Sequence, residues 1–203
     1  MVPTVIRILV PLLCVIWLSA ETRTGAPTET IRSMVDEVLR LLNDPALQGP
    51  AKRHILRQRV KQVVDRRFNY EEMAKRSLGP TWGKLSPQQR SEFTRLFAEL
   101  LEVSYSDKLE QYSGETVSYL GETQDGNYAE VRTVLVRRND RIPMNYRLHN
   151  QSGWMIYDVV IEGVSLVSNY RSQFQQVISQ SSYSELVRRL RNRVNELRQT
   201  KGY

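Results

Sequence analysis

Near the C-terminal end of the chain, the sequence pattern changes within a few residues from that of a strand to that of a helix. Residues 154–161 form an apolar run, and Glu162-Gly163 interrupts it. Beyond the break, apolar side chains recur at helical spacing. They are Val164, Val167, Tyr170, Phe174 and Val177. This succession predicts a domain in which helices pack against a sheet.

The first 20 residues have the features of a secretory signal peptide. Arg7 supplies a positive charge, an apolar run follows over residues 8–18, and Ala20 is a small residue suited to cleavage. The run is shorter than the roughly 20 apolar residues that a membrane-spanning helix needs. We therefore expect segment 1–20 to be a signal peptide that is cleaved on export, with an uncleaved membrane anchor as the alternative.

Cleavage would also remove Cys14, the only cysteine of the 203-residue sequence. The mature chain would then have no disulfide, no thiol nucleophile and no thiolate metal site. Its stability must come from an apolar core, and about 180 residues are enough to form one. We predict one binding domain over residues 21–182, followed by a basic C-terminal helix over residues 183–203.

Basic residues are concentrated in segments 52–67 and 188–198 of a chain whose net charge is +7. Nucleic-acid binding is one interpretation of such runs. Each run also carries an apolar stripe at helical spacing, which favours a helix with its charges on the solvent face. We therefore predict no nucleic-acid partner. We expect Arg57, Arg59 and Lys61 to face solvent and to serve partner docking through electrostatic steering.

The middle of the chain changes from helical to alternating periodicity at Gly114. Helices are predicted over residues 28–43, 50–67, 69–78 and 87–112, the last opened by the capping sequence Ser86-Pro87-Gln88-Gln89. Strands are predicted over residues 117–120, 128–137, 142–148 and 154–161. The short connections between strands indicate an antiparallel meander.

This order of elements predicts an α+β fold, in which a four-stranded antiparallel sheet packs with helices. Cystatin-like and nuclear-transport-factor-like folds share this plan, and their curved sheets commonly enclose a cavity. We expect the same arrangement here, with a helical subdomain added and with an apolar cavity. Fold analogy alone assigns no function to it.

Titratable residues offer little support for catalysis. Neither His54 nor His149 has a second metal-binding residue at a ligand spacing, so we predict no metal site. Asp158 and Glu162 are four strand residues apart, which places them about 13 Å from each other. Paired glycosidase carboxylates work at roughly 5–9.5 Å. We predict that the protein is not an enzyme and has no catalytic residue.

Gly163-Val164-Ser165 resembles the start of a nucleophile elbow, the motif that presents a catalytic serine. The second glycine of that motif is missing, since Val167 stands in its place. Serine at the start of a helical pattern is a preferred N-cap. We interpret Ser165 as the N-cap of the last-but-one helix.

Six segments of the chain resemble the MlaC family, also called toluene-tolerance proteins. They occur in the family's order within residues 28–178 and are Phe68–Gly79, Trp82–Phe93, Leu96–Leu101, Tyr128–Thr133, Ile142–Leu148 and Tyr157–Phe174. The resemblance implies a periplasmic phospholipid carrier of the outer-membrane lipid asymmetry pathway. Its implied partners are an outer-membrane lipoprotein complex and an inner-membrane ABC transporter with a lipid-binding ring. We expect a monomer whose bound phospholipid is cargo, with no cofactor.

The implied lipid cavity needs an apolar wall, although periodicity alone cannot distinguish a wall from a core. The inward faces of the long helix, the strands and the strand-to-helix corner are the candidates. The predicted lipid-binding residues are Leu101, Tyr105, Leu109, Val131, Leu135, Met144, Tyr146, Val159, Ile161, Val164 and Val167. The alternatives are a cystatin-like domain that binds another apolar ligand, or an enzyme on that scaffold.

Overall fold

The computed structural model describes residues 26–201, apart from the side chains of residues 106–110. The predicted signal peptide lies outside the described residues. The α-helices are α1 (Pro27–Leu42), α2 (Arg53–Asp65), α3 (Tyr70–Leu78), α4 (Pro87–Glu110), α5 (Leu166–Gln180) and α6 (Tyr183–Lys201). The strands are β1 (Thr116–Asp125), β2 (Tyr128–Arg137), β3 (Asp140–Asn150), β4 (Trp154–Ile161) and β5 (Val164–Ser165).

The strands form one antiparallel sheet in the order β1-β2-β3-β4-β5. The predicted α+β class and meander are confirmed, but the sheet has five strands where four were predicted. The extra strand, β5, is two residues long and pairs with the end of β4. Two residues are too few to show an alternating pattern, so only pairing with β4 reveals this strand.

Side-chain caps set the beginnings of α3 and α4. At α4, Ser86 Oγ accepts a hydrogen bond from Gln89 N at 3.2 Å, and Gln89 Oε1 accepts one from Ser86 N at 2.9 Å. This reciprocal pair is the predicted capping box. At α3, Asn69 Oδ1 accepts a hydrogen bond from Glu72 N at 3.0 Å. The α2 helix begins later than predicted, at Arg53, because a separate 3-10 turn occupies Pro50–Lys52.

The strand-to-helix corner is a tight turn at Glu162 and Gly163, both with positive φ (51° and 82°). After the turn, Ser165 Oγ accepts a hydrogen bond from Ser168 N at 3.0 Å, so Ser165 is the predicted N-cap of α5. Asp158 of β4 holds this start of α5 in place. Its side chain accepts hydrogen bonds from Ser165 Oγ at 2.7 Å and from Val167 N at 3.0 Å.

Two apolar clusters form the core. One lies among α3, α4, α5 and α6 and includes Phe93, Phe97 and Phe174. The other lies between α1 and the sheet and includes Ile31 and Val131. The basic helix α6 contributes buried side chains to the first cluster, so it is an integral layer of the helical core. None of the helices within residues 26–201 is long and apolar enough to cross a membrane.

Candidate binding cavity

A cavity of about 380 Å³ opens between the sheet and helices α1, α2 and α4. Ligand pockets commonly have volumes of roughly 300–1,000 Å³. Among the 25 described residues that line it, 20 have uncharged, apolar or aromatic side chains. A cavity with such a wall favours an apolar ligand, because it offers few hydrogen-bonding groups.

The helical side of the wall is built from one stripe of each amphipathic helix. Met34 and Val38 lie one turn apart on α1, and Val60 and Val64 lie one turn apart on α2. Side chains four residues apart share a helix face. The same spacing brings Leu101 and Tyr105 of α4 to the cavity. The periodicity that predicts these helices therefore also produces the wall.

The sheet side of the wall follows from strand register. Tyr146 pairs with Val159, and Met144 pairs with Ile161, across β3 and β4. Paired residues in antiparallel strands share a face, as do residues two apart. The Tyr146 hydroxyl donates a hydrogen bond to Met144 Sδ at 3.1 Å. Burial raises the pKa of Tyr146, so this phenol stays neutral within the wall.

Segment 67–69 is held against β4 by backbone hydrogen bonds. Ile156 N donates to Arg67 O at 2.7 Å, and Asn69 N donates to Ile156 O at 2.8 Å. This bridge fixes the position of Phe68, whose side chain lines the cavity. A two-residue contact of this kind has no sequence signature.

Seven of the eleven predicted wall residues lie at the cavity. They are Leu101, Tyr105, Leu135, Met144, Tyr146, Val159 and Ile161. Val131 is fully buried in the adjoining sheet cluster and does not line the cavity. Leu109 lies outside the described side chains. The structure thus brings the strand and long-helix candidates together, and their contact with lipid stays a prediction.

The two candidates from the strand-to-helix corner lie elsewhere. Val164 is 57% exposed, and Val167 packs into the helical core. The predicted helical face includes Val164, which lies two residues before α5 begins at Leu166. Leu166 lines the cavity in their place. The structure does not bring Val164 and Val167 to the cavity, because Val164 lies in β5 before the helix and Val167 faces the helical core.

Most of the wall residues that the sequence did not identify lie on α1, on α2, on α3 or just before α3. They include Met34, Val35, Val38, Leu39, Leu42, Val60, Val64, Phe68, Tyr70 and Met73. The amphipathic stripes of α1 and α2 were visible in the sequence. They could not be distinguished from ordinary core faces, because both need the same periodicity.

The basic helix α2 also contributes charge to the cavity. Arg57 and Lys61 line it, whereas Arg59 is exposed. Arg57 and Lys61 are only partly buried, so they contact both the cavity and solvent, and the docking role of all three residues stays a prediction. Positions 57, 60, 61 and 64 form one helical stripe, so the two cations share a face with Val60 and Val64. The sequence predicts that the apolar stripe of α2 lies opposite its charges, but in the structure this stripe includes Arg57 and Lys61.

Glu115 and Arg137 form a second charged group of the lining. Their closest atoms, Glu115 Oε1 and Arg137 Nε, are 3.4 Å apart, and Ser113 N donates to Glu115 Oε2 at 2.7 Å. Burial opposes ionisation of Glu115, but the hydrogen bonds from the backbone of Ser113 and of Glu115 itself, with Arg137, hold its pKa below the usual value. The negative charge of Glu115 is therefore compensated by Arg137.

Glu102 of α4 is the remaining charged lining residue. Burial raises its pKa above 4.5, while Lys61 and Arg198 act in the opposite direction. Across the described part of the chain, no three His, Cys, Asp or Glu side chains are grouped as a metal ion would require. The charged groups of the cavity are placed where they can orient a ligand. Ser165 does not line the cavity and serves as the N-cap of α5.

Comparison with known proteins agrees with this geometry. The curated MlaC, an intermembrane phospholipid transport system binding protein of Haemophilus influenzae, is 25% identical over 135 residues. The match spans 63% of each chain, less than two thirds of the relative's length. The solved structure of a phospholipid-binding protein from Ralstonia solanacearum, in complex with a phospholipid, is similar with a TM-score of 0.75. That match has 27% identity and covers 85% of this chain and 99% of the other.

A sequence profile of the MlaC protein family matches residues 32–192, from the first turns of α1 into α6. The match includes the sheet and every helix that contributes to the cavity. The chain therefore belongs to the MlaC family.

Proposed function

We propose that this protein binds a phospholipid with its acyl chains in the apolar cavity and carries it between two membranes. The observation that supports this most directly is the cavity of about 380 Å³ with 20 uncharged lining residues. It occurs in a fold whose Ralstonia solanacearum counterpart is in complex with a phospholipid. The Haemophilus influenzae relative belongs to an intermembrane phospholipid transport system.

The energetics of lipid transfer explain why such a carrier is needed. Each methylene costs roughly 0.8 kcal/mol to expose to water, so a diacyl lipid with about 30 methylenes faces a barrier of about 20 kcal/mol or more. An apolar cavity removes most of that barrier by keeping the tails out of water. Release into water would be very slow for the same reason, so hand-off takes place in a docked complex.

The proposed setting is the periplasm, after cleavage of the signal peptide over residues 1–20. The proposed partners are an outer-membrane lipoprotein complex and an inner-membrane ABC transporter with a lipid-binding ring. Arg59 and other exposed charges of segment 52–67 would steer encounters with acidic partner surfaces. The protein would act as a monomer, and the bound phospholipid would be its cargo.

The MlaC family consists of lipid-binding transport proteins and not of enzymes. Two other functions give different expectations. A carrier of another apolar ligand would co-purify with that ligand and exclude phospholipid. A nucleic-acid binder would retain duplex or single-stranded probes on a filter at physiological salt, with steep salt dependence.

Native mass spectrometry and lipid extraction test the proposal. The protein is exported from its full-length gene, purified without detergent and analysed for bound phospholipid. It is then incubated with vesicles that contain labelled phospholipid and is separated from them. We expect an occupied protein that also takes up labelled lipid. A protein that is always empty and acquires no lipid from vesicles would contradict the proposed function.

A further inference from the structure

We propose that Arg57 and Lys61 form a subsite for the phosphodiester of the lipid headgroup. This inference rests on the proposed function and adds a chemical preference to it. Both residues lie on α2, one turn apart, and both line the cavity. Neither is fully buried, and the Lys61 side chain is 40% exposed. The two cations therefore stand where the apolar lining meets solvent.

The placement matches the chemistry of a phospholipid. Its tails are apolar, and a phosphodiester with one negative charge is joined to them through glycerol. Tails that contact Val60 and Val64 put the phosphate near the cations of the same helical stripe. An arginine can donate two parallel hydrogen bonds to phosphate oxygens, and a lysine supplies a compact positive charge.

Neighbouring groups hold Lys61 at this position without using all of its hydrogen bonds. Its ammonium forms an ion pair with Asp65, and the Tyr70 hydroxyl donates to the other oxygen of Asp65 at 3.1 Å. An exposed ion pair of this kind contributes little to stability, so Asp65 does not hold the ammonium tightly. The ammonium has three donors, so it can keep Asp65 and still donate to a phosphate oxygen.

The other charged residues of the lining leave Arg57 and Lys61 as the candidate cations for a phosphate. Arg137 is paired with Glu115, which ties that cation to a buried carboxylate on the sheet side. Glu102 is a carboxylate of the lining. Of the two cations that act to lower its pKa, Lys61 has a larger effect than Arg198. A headgroup phosphate on this stripe would therefore contact Arg57 and share the Lys61 ammonium with Asp65.

A competition between two lipids tests the subsite. Dioleoyl phosphatidylglycerol and dioleoylglycerol have the same tails, and only the first carries a phosphodiester. Vesicles that contain both lipids are offered to delipidated protein, and native mass spectrometry measures the ratio loaded. The double variant R57Q/K61Q is compared with wild type. Two controls are the exposed neighbour variant R59Q and the charge-preserving variant R57K/K61R. Circular dichroism checks that each is folded, and the single variants R57Q and K61Q replace the double variant if it is not.

We expect wild type to load the phosphate-bearing lipid preferentially and the double variant to lose about tenfold or more of that preference, with each single variant losing part of it. R59Q and R57K/K61R should keep most of the preference. Inorganic phosphate at millimolar concentration should not displace the lipid, because a free anion lacks the tails. Displacement by inorganic phosphate alone would indicate a general anion site and overturn the headgroup assignment.

Three other results would overturn the inference and remain distinct from failure of the proposed function. Equal loading of both lipids by wild type would mean that the cavity recognises only the acyl chains. An unchanged preference in folded R57Q/K61Q, or in both folded single variants, would separate the cations from the headgroup. If slower transfer to an acidic partner accompanied that result, the cations would belong to a docking surface. Failure of wild type to load either lipid would refute the proposed function itself.

Discussion

Ile161 and Val164 are register partners across the turn that joins β4 to β5, yet only Ile161 lines the cavity. Val164 lies at the sheet edge with 57% of its surface exposed. Two apolar residues of similar size, three positions apart, thus lie in different places: Ile161 in the cavity wall and Val164 on the protein surface. They form a matched pair for testing what the cavity holds.

The variant Ile161→Glu should lose bound phospholipid, whereas Val164→Glu should keep it. A carboxylate at position 161 would have to lie among acyl chains, and burial of an unpaired charge is costly. At position 164 the new carboxylate stays in water. Native mass spectrometry of both purified proteins gives the lipid occupancy. Loss of lipid from folded Val164→Glu, with occupancy kept in Ile161→Glu, would reverse the assignment of wall and surface.

The variant Asp158→Ala should destabilise the fold by about 2–4 kcal/mol. Asp158 is 2% exposed, and its loss leaves Ser165 Oγ and the Val167 amide without their acceptor. Urea unfolding measures the change as a shift in midpoint at constant slope. Arg147 forms ion pairs with both Asp158 at 3.2 Å and the more exposed Glu130 at 3.1 Å. The control is therefore Glu130→Ala, which should cost less than about 1 kcal/mol. Equal losses would mean that the cap on α5 contributes no more than a surface ion pair.

The variant Glu102→Gln should make the delipidated protein more stable at pH 7 and leave its stability unchanged at pH 4. Burial raises the pKa of Glu102 above 4.5, despite the opposing charges of Lys61 and Arg198. An acid whose pKa is higher in the folded state is protonated more readily there, so its ionisation disfavours folding. That penalty is absent below pH 4.5 and develops as the pH rises through the pKa of the folded protein.

Thermal unfolding at the two pH values measures this effect. The control is Glu99→Gln on the same helix, which removes ion pairs with Arg95 and Arg198 and should not raise the midpoint at pH 7. A lower midpoint for Glu102→Gln at pH 7 would show that its carboxylate stabilises the fold through the cations around it.

The variant Arg59→Glu should slow lipid transfer to partner complexes and leave the lipid content of the isolated protein unchanged. Arg59 is exposed on α2, away from the lining positions 57 and 61. Reversal of a surface charge alters encounter rates more than binding at a separate cavity. Stopped-flow transfer of a fluorescent phospholipid measures the rate at low and high salt. The difference from wild type should shrink at high salt because of screening. Equal rates at low salt would exclude Arg59 from the docking surface.

The elements that sequence reasoning identified are those with short-range causes. The Ser86 capping box, the hairpin at Asp125-Gly126 and the bounds of β2 and β4 all appear where local patterns indicate them. Each depends on interactions between residues a few positions apart. The β5 strand and the bridge at Phe68 depend on pairing with β4, so no local pattern predicts them.

The alternation of apolar faces, the α+β order of elements and the family resemblance all follow from the amino-acid sequence alone. Which apolar faces close into core and which leave a cavity depends on how the elements pack in three dimensions. A stripe such as Met34 and Val38 has the same periodicity in either role, because periodicity reports the face and not what lies opposite. For the same reason, the sequence did not reveal that Arg57 and Lys61 line the cavity. A helix has 3.6 residues per turn and therefore several stripes. Only the packing of α2 against α1 and α4 sets which stripe faces the cavity.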